Sequence, residues 1–121
     1  MESTLVYVVD ADPAIRDSLT TLLDLNGYEV RAFATGESFL ATLHEDTDAL
    51  CIVCEAQLPD ASGLEIYRQL ARLKIDIPFA LLISRRNDSI VATARQCGIS
   101  WLFLKPLVYR HLLDFVGDLS G

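Results

Sequence analysis

The stretch that most constrains the fold is an apolar run that ends in a single carboxylate. Residues 49–54 read Ala-Leu-Cys-Ile-Val-Cys, with no alternation of polar and apolar residues. Such a run is typical of a strand buried on both faces at the centre of a parallel sheet. The run stops at Glu55, and Leu58 and Pro59 then turn the chain away. Because open α/β sheets carry their chemistry at the carboxyl ends of the strands, Glu55 is the first candidate for a functional residue.

Four other segments have the composition of strands, and helical stripes separate them. The further strands are predicted at Leu5–Val9, residues 28–33, residues 77–83 and Trp101–Leu104. In the second strand, Val30 and the aromatic residues are expected to face inward. Helix starts are indicated by Asp12 before a proline, by Thr35 and by Ser62 three residues before a glutamate. The residues predicted to face the sheet from the helices are Ile15, Leu19, Leu22, Leu23, Phe39, Leu40, Leu43, Leu64, Tyr67, Leu70, Leu73, Ile90, Ala94, Cys97, Leu112, Phe115, Val116 and Leu119.

Strict alternation of five strands with five helices predicts a doubly wound α/β domain. The helices are expected to be roughly ten to fourteen residues long. Right-handed crossovers allow few strand orders, and 2-1-3-4-5, the flavodoxin-like order, is the one we predict. Two helices should then cover one face of the sheet and three the other.

Polar side chains follow four of the predicted strands. On the order 2-1-3-4-5, the carboxyl ends of these strands meet around the junction of the first and third strands. One hydroxyl, one lysine and several carboxylates should therefore lie together there. The candidate site residues are Asp10, Asp12, Glu55, Ser84 and Lys105.

The bulk properties of the sequence exclude several classes of function. At 121 residues with 51% hydrophobic content, the chain is expected to be one domain, residues 1–121, either whole or the front of a longer regulator. The net charge of −7 argues against nucleic-acid binding, and the apolar runs are too short to span a membrane. Cys51 and Cys54 should point to opposite faces of their strand, and the odd number of cysteines indicates the reducing cytoplasm.

Five short motifs, in their order and spacing, resemble a known family. They are Val-Val-Asp10-Ala-Asp-Pro, the run from Glu55 to Pro59 with Gly63 after it, Ser84, Cys-Gly98, and Lys105 followed by proline. Across residues 5–119 the chain is similar to the response-regulator receiver domain of two-component signalling. It resembles most the receivers that precede LuxR-type output domains. The resemblance also implies a cis bond between Lys105 and Pro106.

The resemblance implies a phosphorylation site in which two positions depart from the family pattern. In family members two adjacent acids hold Mg²⁺ and an aspartate after the third strand accepts a phosphoryl group. A hydroxyl and a lysine then contact this phosphoryl group. Asp10, Ser84 and Lys105 match the first acid, the hydroxyl and the lysine. The second acid is replaced by Ala11, and Glu55 stands in place of the phosphoacceptor aspartate. We therefore expect weak or absent Mg²⁺ binding, with Asp10 as the one remaining metal position, no other cofactor, and no enzyme activity.

These departures predict an atypical receiver that signals by protein–protein interaction without aspartate phosphorylation. The alternatives are a flavodoxin-like domain that binds a small ligand at the same edge, and a receiver that still accepts phosphate weakly. The expected partners are its own output domain, a second copy or another regulator. The predicted interaction face carries basic and aromatic residues on the last two helices and the strand between them, with Leu102 at the position that the family fills with an aromatic residue. Its members are Arg85, Arg86, Arg95, Leu102, Tyr109, Arg110 and His111.

Overall fold

The computed structural model describes residues 3–44, 47–84 and 88–121 of the chain. Five strands form one sheet in which every neighbouring pair is parallel. In chain order they are β1 (Leu5–Val9), β2 (Glu29–Phe33), β3 (Cys51–Glu55), β4 (Phe79–Ile83) and β5 (Trp101–Leu104). Across the sheet the order is β2-β1-β3-β4-β5, which confirms the predicted flavodoxin-like topology.

Helices cover both faces of the sheet and divide the core into two layers. They are α1 (Pro13–Leu25), α2 (Gly36–Leu40), α3 (Gly63–Arg72), α4 (Asp88–Cys97) and α5 (Tyr109–Ser120). Side chains of α1 and α5, such as Leu19 and Phe115, pack against one face. Side chains of α2, α3 and α4, such as Phe39, Ile66 and Ala94, pack against the other. This confirms the predicted division of two helices and three.

The central strand β3 lies between β1 and β4, and its two faces are buried because helices pack on both sides of the sheet. Its side chains alternate between the layers, so Cys51 and Cys54 face opposite sides of the sheet, as predicted. Burial raises the pKa of Cys51 to about 12, and it raises the pKa of Cys54 as well, since both thiols lie away from water. Both therefore behave as small core residues.

The predicted helix starts are confirmed by capping hydrogen bonds. The side chain of Asp12 accepts a bond from the Ala14 amide at 2.9 Å. Ser62 accepts one from the Glu65 amide at 3.0 Å. Each bond satisfies an amide that has no partner within its own helix, so the first turn is fixed where the sequence indicated.

Three local expectations were wrong. The helix α2 has only five residues, and a turn follows it in which the Thr42 hydroxyl bonds the Phe39 carbonyl at 2.8 Å. Such side-chain bonds compete with helix propagation. Leu73 is 48% exposed because it is the C-cap of α3. Tyr28 and Val30 pack on the α1–α5 layer but Phe33 on the opposite one, as the two-residue period of a strand requires.

Among the described residues, no helix has both the length and the apolar composition that crossing a bilayer requires.

Candidate functional site

Four of the predicted site residues meet at the carboxyl edge of the sheet. Asp10, Glu55, Ser84 and Lys105 stand at or just beyond the ends of β1, β3, β4 and β5. Backbone bonds fix the ends of these strands, for example from the Lys105 amide to the Ile83 carbonyl at 2.8 Å. The bond between Lys105 and Pro106 is cis, as the family resemblance implied. We call these four side chains the edge cluster.

Asp10 is fully buried, and each of its oxygens faces a donor. Its Oδ1 accepts a hydrogen bond from the Asp12 amide at 2.9 Å. Its Oδ2 lies 2.6 Å from the Lys105 ammonium, an ion pair whose angles fall outside hydrogen-bond geometry. Its backbone carbonyl accepts a bond from the Arg16 guanidinium at 2.8 Å. A buried carboxylate is tolerated only with such compensation.

The Glu55 carboxylate faces three donors from three other segments. Its Oε2 accepts a hydrogen bond from the Ala11 amide at 3.2 Å. Its Oε1 accepts one from the Ser84 hydroxyl at 3.3 Å and one from the Lys105 ammonium at 3.4 Å. The side chains of Glu55 and Lys105 are largely buried, with 12% and 14% of their surfaces exposed. The glutamate therefore links β1, β4 and β5 through one side chain.

The charges of the edge cluster do not balance. Two carboxylates face one ammonium, so the formal charge of the four side chains is −1 when all are ionised. This negative charge also affects a buried thiol of the core. After burial itself, the negative charges of Glu55 and then Asp10 are what raise the pKa of the neighbouring Cys54 thiol.

Asp12 lies at the same edge, but its side chain serves the helix. Its Oδ1 caps α1 through the Ala14 amide, and the residue is exposed. The carboxylate is therefore committed away from the edge cluster.

The donor set does not suit Mg²⁺. This ion requires near-octahedral oxygen ligands at about 2.0–2.1 Å. The oxygens of Asp10 and Glu55 instead face amides, a hydroxyl and the Lys105 ammonium. In the described ranges no three residues among His, Cys, Asp and Glu are grouped so as to hold a metal ion. The methyl group of Ala11 supplies no ligand.

Two contacts near the edge cluster escaped prediction from the sequence. The first is the bond from Arg16 to the Asp10 carbonyl, which joins α1 to the end of β1. The second is the Asp60 carboxylate, which accepts bonds from the Gly36 and Glu37 amides at 3.0 and 2.8 Å. These amide bonds hold the pKa of Asp60 below its usual value. Asp60 follows a proline in the loop after β3, where an acid indicates a turn and nothing identifies its partner.

The predicted interaction face is exposed over most of its described part. Arg95, Tyr109, Arg110 and His111 are exposed, whereas Leu102 is half-buried against the core. Arg85 and Arg86 lie outside the described residues. Beside the basic residues the structure adds exposed apolar side chains, namely Trp101, Leu104 and Val108.

Comparison with known proteins identifies the family. The sequence model described as "Response regulator receiver domain" matches residues 6–116, and the chain belongs to this family. Receiver domains are signalling domains that interact with other proteins, such as output domains and kinases.

The chain is similar to Nodulation protein W of Bradyrhizobium diazoefficiens, with 34% identity over 93% of this chain and 49% of that protein. It is 30% identical to Transcriptional regulatory protein FixJ of Rhizobium meliloti, over 92% of this chain and 54% of that protein. The chain therefore spans about half the length of these curated relatives. A response regulator receiver domain protein from Methanospirillum hungatei has the same fold, with a TM-score of 0.87 and 24% identity over 98% of this chain and 93% of that one.

Proposed function

We propose that this receiver domain signals through protein–protein interaction without phosphorylation of an aspartate. The observation that carries the proposal is the Glu55 carboxylate, which accepts bonds from Ala11, Ser84 and Lys105. In the family, as the resemblance implies, a hydroxyl and a lysine at these positions contact the phosphoryl group. Here both already bond the glutamate.

The length of the glutamate supports the proposal. Glu55 carries one methylene more than aspartate, so its carboxylate reaches about 1.5 Å further from the backbone. A misplacement of this size can cost about a hundredfold in rate. With this reach the carboxylate bonds Ser84 and Lys105, the two side chains that the resemblance assigns to contacts with a phosphoryl group. Because a phosphoryl group carries about −1.5 to −2 charge and a carboxylate only −1, the glutamate is a partial mimic.

The metal part of the site supports the proposal independently. Phosphoryl transfer depends on cations that neutralise the developing charge. Ala11 supplies no carboxylate, and the Asp10 oxygens face the Asp12 amide and the Lys105 ammonium. We therefore expect Mg²⁺ binding to be weak or absent and no enzymatic step to occur at the edge cluster.

The membership of the receiver family favours this function over the flavin-binding alternative. The loop after β1 reads Asp-Ala-Asp-Pro, and its carboxylates would repel a phosphate group. A colourless solution of the purified protein is expected, since bound flavin is yellow. A receiver that retains weak phosphorylation is the remaining alternative, and the following experiment separates it from our proposal.

The test is phosphorylation by acetyl phosphate with Mg²⁺, followed by intact mass. We expect no added phosphoryl group on the unmodified protein or on Glu55→Asp, because the second acid is still missing. The pair Ala11→Asp with Glu55→Asp should gain one phosphoryl group, and omission of Mg²⁺ should abolish the gain. Uptake by the unmodified protein would overturn the proposal.

We infer further that partners bind the face formed by α4, β5 and α5. Tyrosine, tryptophan and arginine are enriched among residues that dominate interface energy, and Trp101, Tyr109 and Arg110 are all exposed there. The partners proposed are a second copy, an output domain or another regulator. Since the relatives are about twice as long and one is named a transcriptional regulatory protein, a LuxR-type output domain in the same polypeptide is the context we favour. With its net charge of −7, the domain itself is not expected to bind nucleic acid or membranes, and we expect it in the cytoplasm.

Charge reversal tests this face. Arg95→Glu with Arg110→Glu should weaken self-association or binding to the output domain, as measured by sedimentation. Arg72→Glu on α3 is the matched control, because Arg72 is exposed on another helix. Equal behaviour of the double variant and the control would contradict the inference.

A further inference from the structure

The shortest polar contact of the edge cluster does not involve Glu55. The Lys105 ammonium lies 2.6 Å from Asp10 Oδ2 and 3.4 Å from Glu55 Oε1. Asp10 is the more deeply buried of the two acids, with none of its side chain exposed. The lysine is thus primarily the partner of the buried aspartate, and the glutamate relies on Ala11 and Ser84 as well.

Two further hydrogen-bond donors contact the same aspartate. The Asp12 amide donates to Oδ1, and the Arg16 guanidinium donates to the backbone carbonyl. The only charged group in contact with the Asp10 carboxylate, among the described residues, is the Lys105 ammonium. If that charge were removed, a buried carboxylate would lose its compensation, which is among the most costly changes in a protein interior.

We propose that Lys105 is the fixed cation of this pocket and replaces a divalent metal ion as the counterion of Asp10. Its ammonium lies 2.6 Å from Asp10 Oδ2 and 3.4 Å from Glu55 Oε1, so both carboxylates have a cationic partner without metal or phosphate. This inference deepens the proposed function and rests on it in one respect: the pocket keeps this arrangement because no phosphorylation step changes it. It assigns to Lys105 a positioning role that does not depend on a phosphoryl group.

A double-mutant cycle tests the pairing. The variants are Asp10→Asn, Lys105→Met and the two combined, with thermal unfolding as the measurement. Lys105→Met alone should lower Tm by roughly 10 °C, because it leaves a buried charge without its partner. The combined variant should be less destabilised than the sum of the single changes, because it removes both charges. Additive effects would overturn the proposal, and if one variant fails to fold, the magnesium measurement on the unmodified protein described below still tests it.

The chain offers a matched control, because Lys74 is its only other lysine and is exposed. Lys74→Met should leave Tm within a degree or two of the unmodified protein, since exposed positions contribute little. A Lys105→Met variant as stable as Lys74→Met would refute the role of Lys105.

Magnesium ions provide the second readout. The Tm of the unmodified protein should not change when MgCl₂ replaces NaCl at equal ionic strength. Lys105→Met should regain part of its lost Tm with MgCl₂, because the two carboxylates are then without a counterion. A rise in the Tm of the unmodified protein with MgCl₂ would show that the metal competes with Lys105 and would overturn the inference. If acetyl phosphate modified the protein while the mutant cycle still showed coupling, the proposed function would fail and the counterion role would stand.

Discussion

The central strands and the last strand of the sheet are built from similar residues but lie in opposite environments. The side chains of β1 are all buried, and so are those of β3 as far as Cys54. In β5, the first and last residues are exposed, with 42% of Trp101 and 51% of Leu104 accessible to water. The difference follows from position, since β3 pairs on both sides and β5 only with β4.

The two regions also differ in whether their functional side chains are paired within the chain or exposed to water. Where β1 and β3 end, Asp10 and Glu55 find partners inside the chain. At β5, the Phe115 ring of α5 packs against Trp101 and Phe103, with ring centroids 4.8 and 5.7 Å apart, and still leaves Trp101 partly open. The carboxylates at the ends of β1 and β3 have partners within the chain, whereas β5 exposes apolar side chains to water. This contrast favours a domain whose pocket holds the structure together while its edge recognises partners.

A matched pair of truncations should produce the largest difference between the two regions. Ile52→Ala in β3 removes a fully buried side chain and should lower the free energy of unfolding by about 2–5 kcal/mol. Leu104→Ala in β5 removes an exposed one and should change it by less than about 0.5 kcal/mol. Urea unfolding of both variants measures the two values. Similar losses would mean that the β5 edge is covered in solution, for example by a second copy.

Substitution of two glycines tests the same comparison by adding a methyl group instead of removing side-chain atoms. A Cβ at Gly63 would lie 2.6 Å from a Leu81 methyl carbon and 2.7 Å from the Glu55 carbonyl oxygen, so the backbone beside the edge cluster would have to move. Gly63→Ala should therefore destabilise the domain by about 1–3 kcal/mol. A Cβ at Gly117 in α5 meets nothing within 4 Å, and Gly117→Ala should stabilise the domain by about 0.5–1 kcal/mol through helix propensity. Chemical unfolding should give opposite signs, and equal signs would contradict the crowding at Gly63.

The sheet could be predicted from the sequence because its determinants are local. The apolar run before Glu55, the turn residues and the caps at Asp12 and Ser62 each act within a few residues of the chain. Parallel topology then brings the ends of four strands together, so the members of the edge cluster could be named in advance. The early end of α2 could not be predicted, since it is associated with one hydroxyl bond, from Thr42 to the Phe39 carbonyl.

The pairing inside the edge cluster could be predicted only in part. The sequence indicated that Glu55, Ser84 and Lys105 would lie together, and in the structure the glutamate accepts a bond from each of the other two side chains. It gave no means of ranking Asp10 above Glu55 as the partner of Lys105, because that depends on differences below 1 Å between side-chain positions. The amide of Ala11 as a donor to Glu55 was also hidden, since every residue but proline carries an amide and the residue type does not reveal its direction.

The smallest expected effect concerns Asp60, which joins the loop after β3 to the start of α2. The Gly36 amide and then the Glu37 amide lower the pKa of this exposed carboxyl from its ordinary value of 3.8. A lowered folded-state pKa means that the ionised form stabilises the fold; this stabilisation is present above pH 3.8 and is lost as the pH falls through the lowered value. Asp60→Asn should therefore be slightly less stable than the unmodified protein at neutral pH, and the difference should vanish in acid. The exposed Asp76, changed to Asn, controls for the loss of one negative charge. Denaturant midpoints across the acid range measure both differences. If the midpoints of Asp60→Asn and the unmodified protein differed by the same amount in strong acid as at neutral pH, the stabilisation by the two amide bonds would not depend on the charge of Asp60.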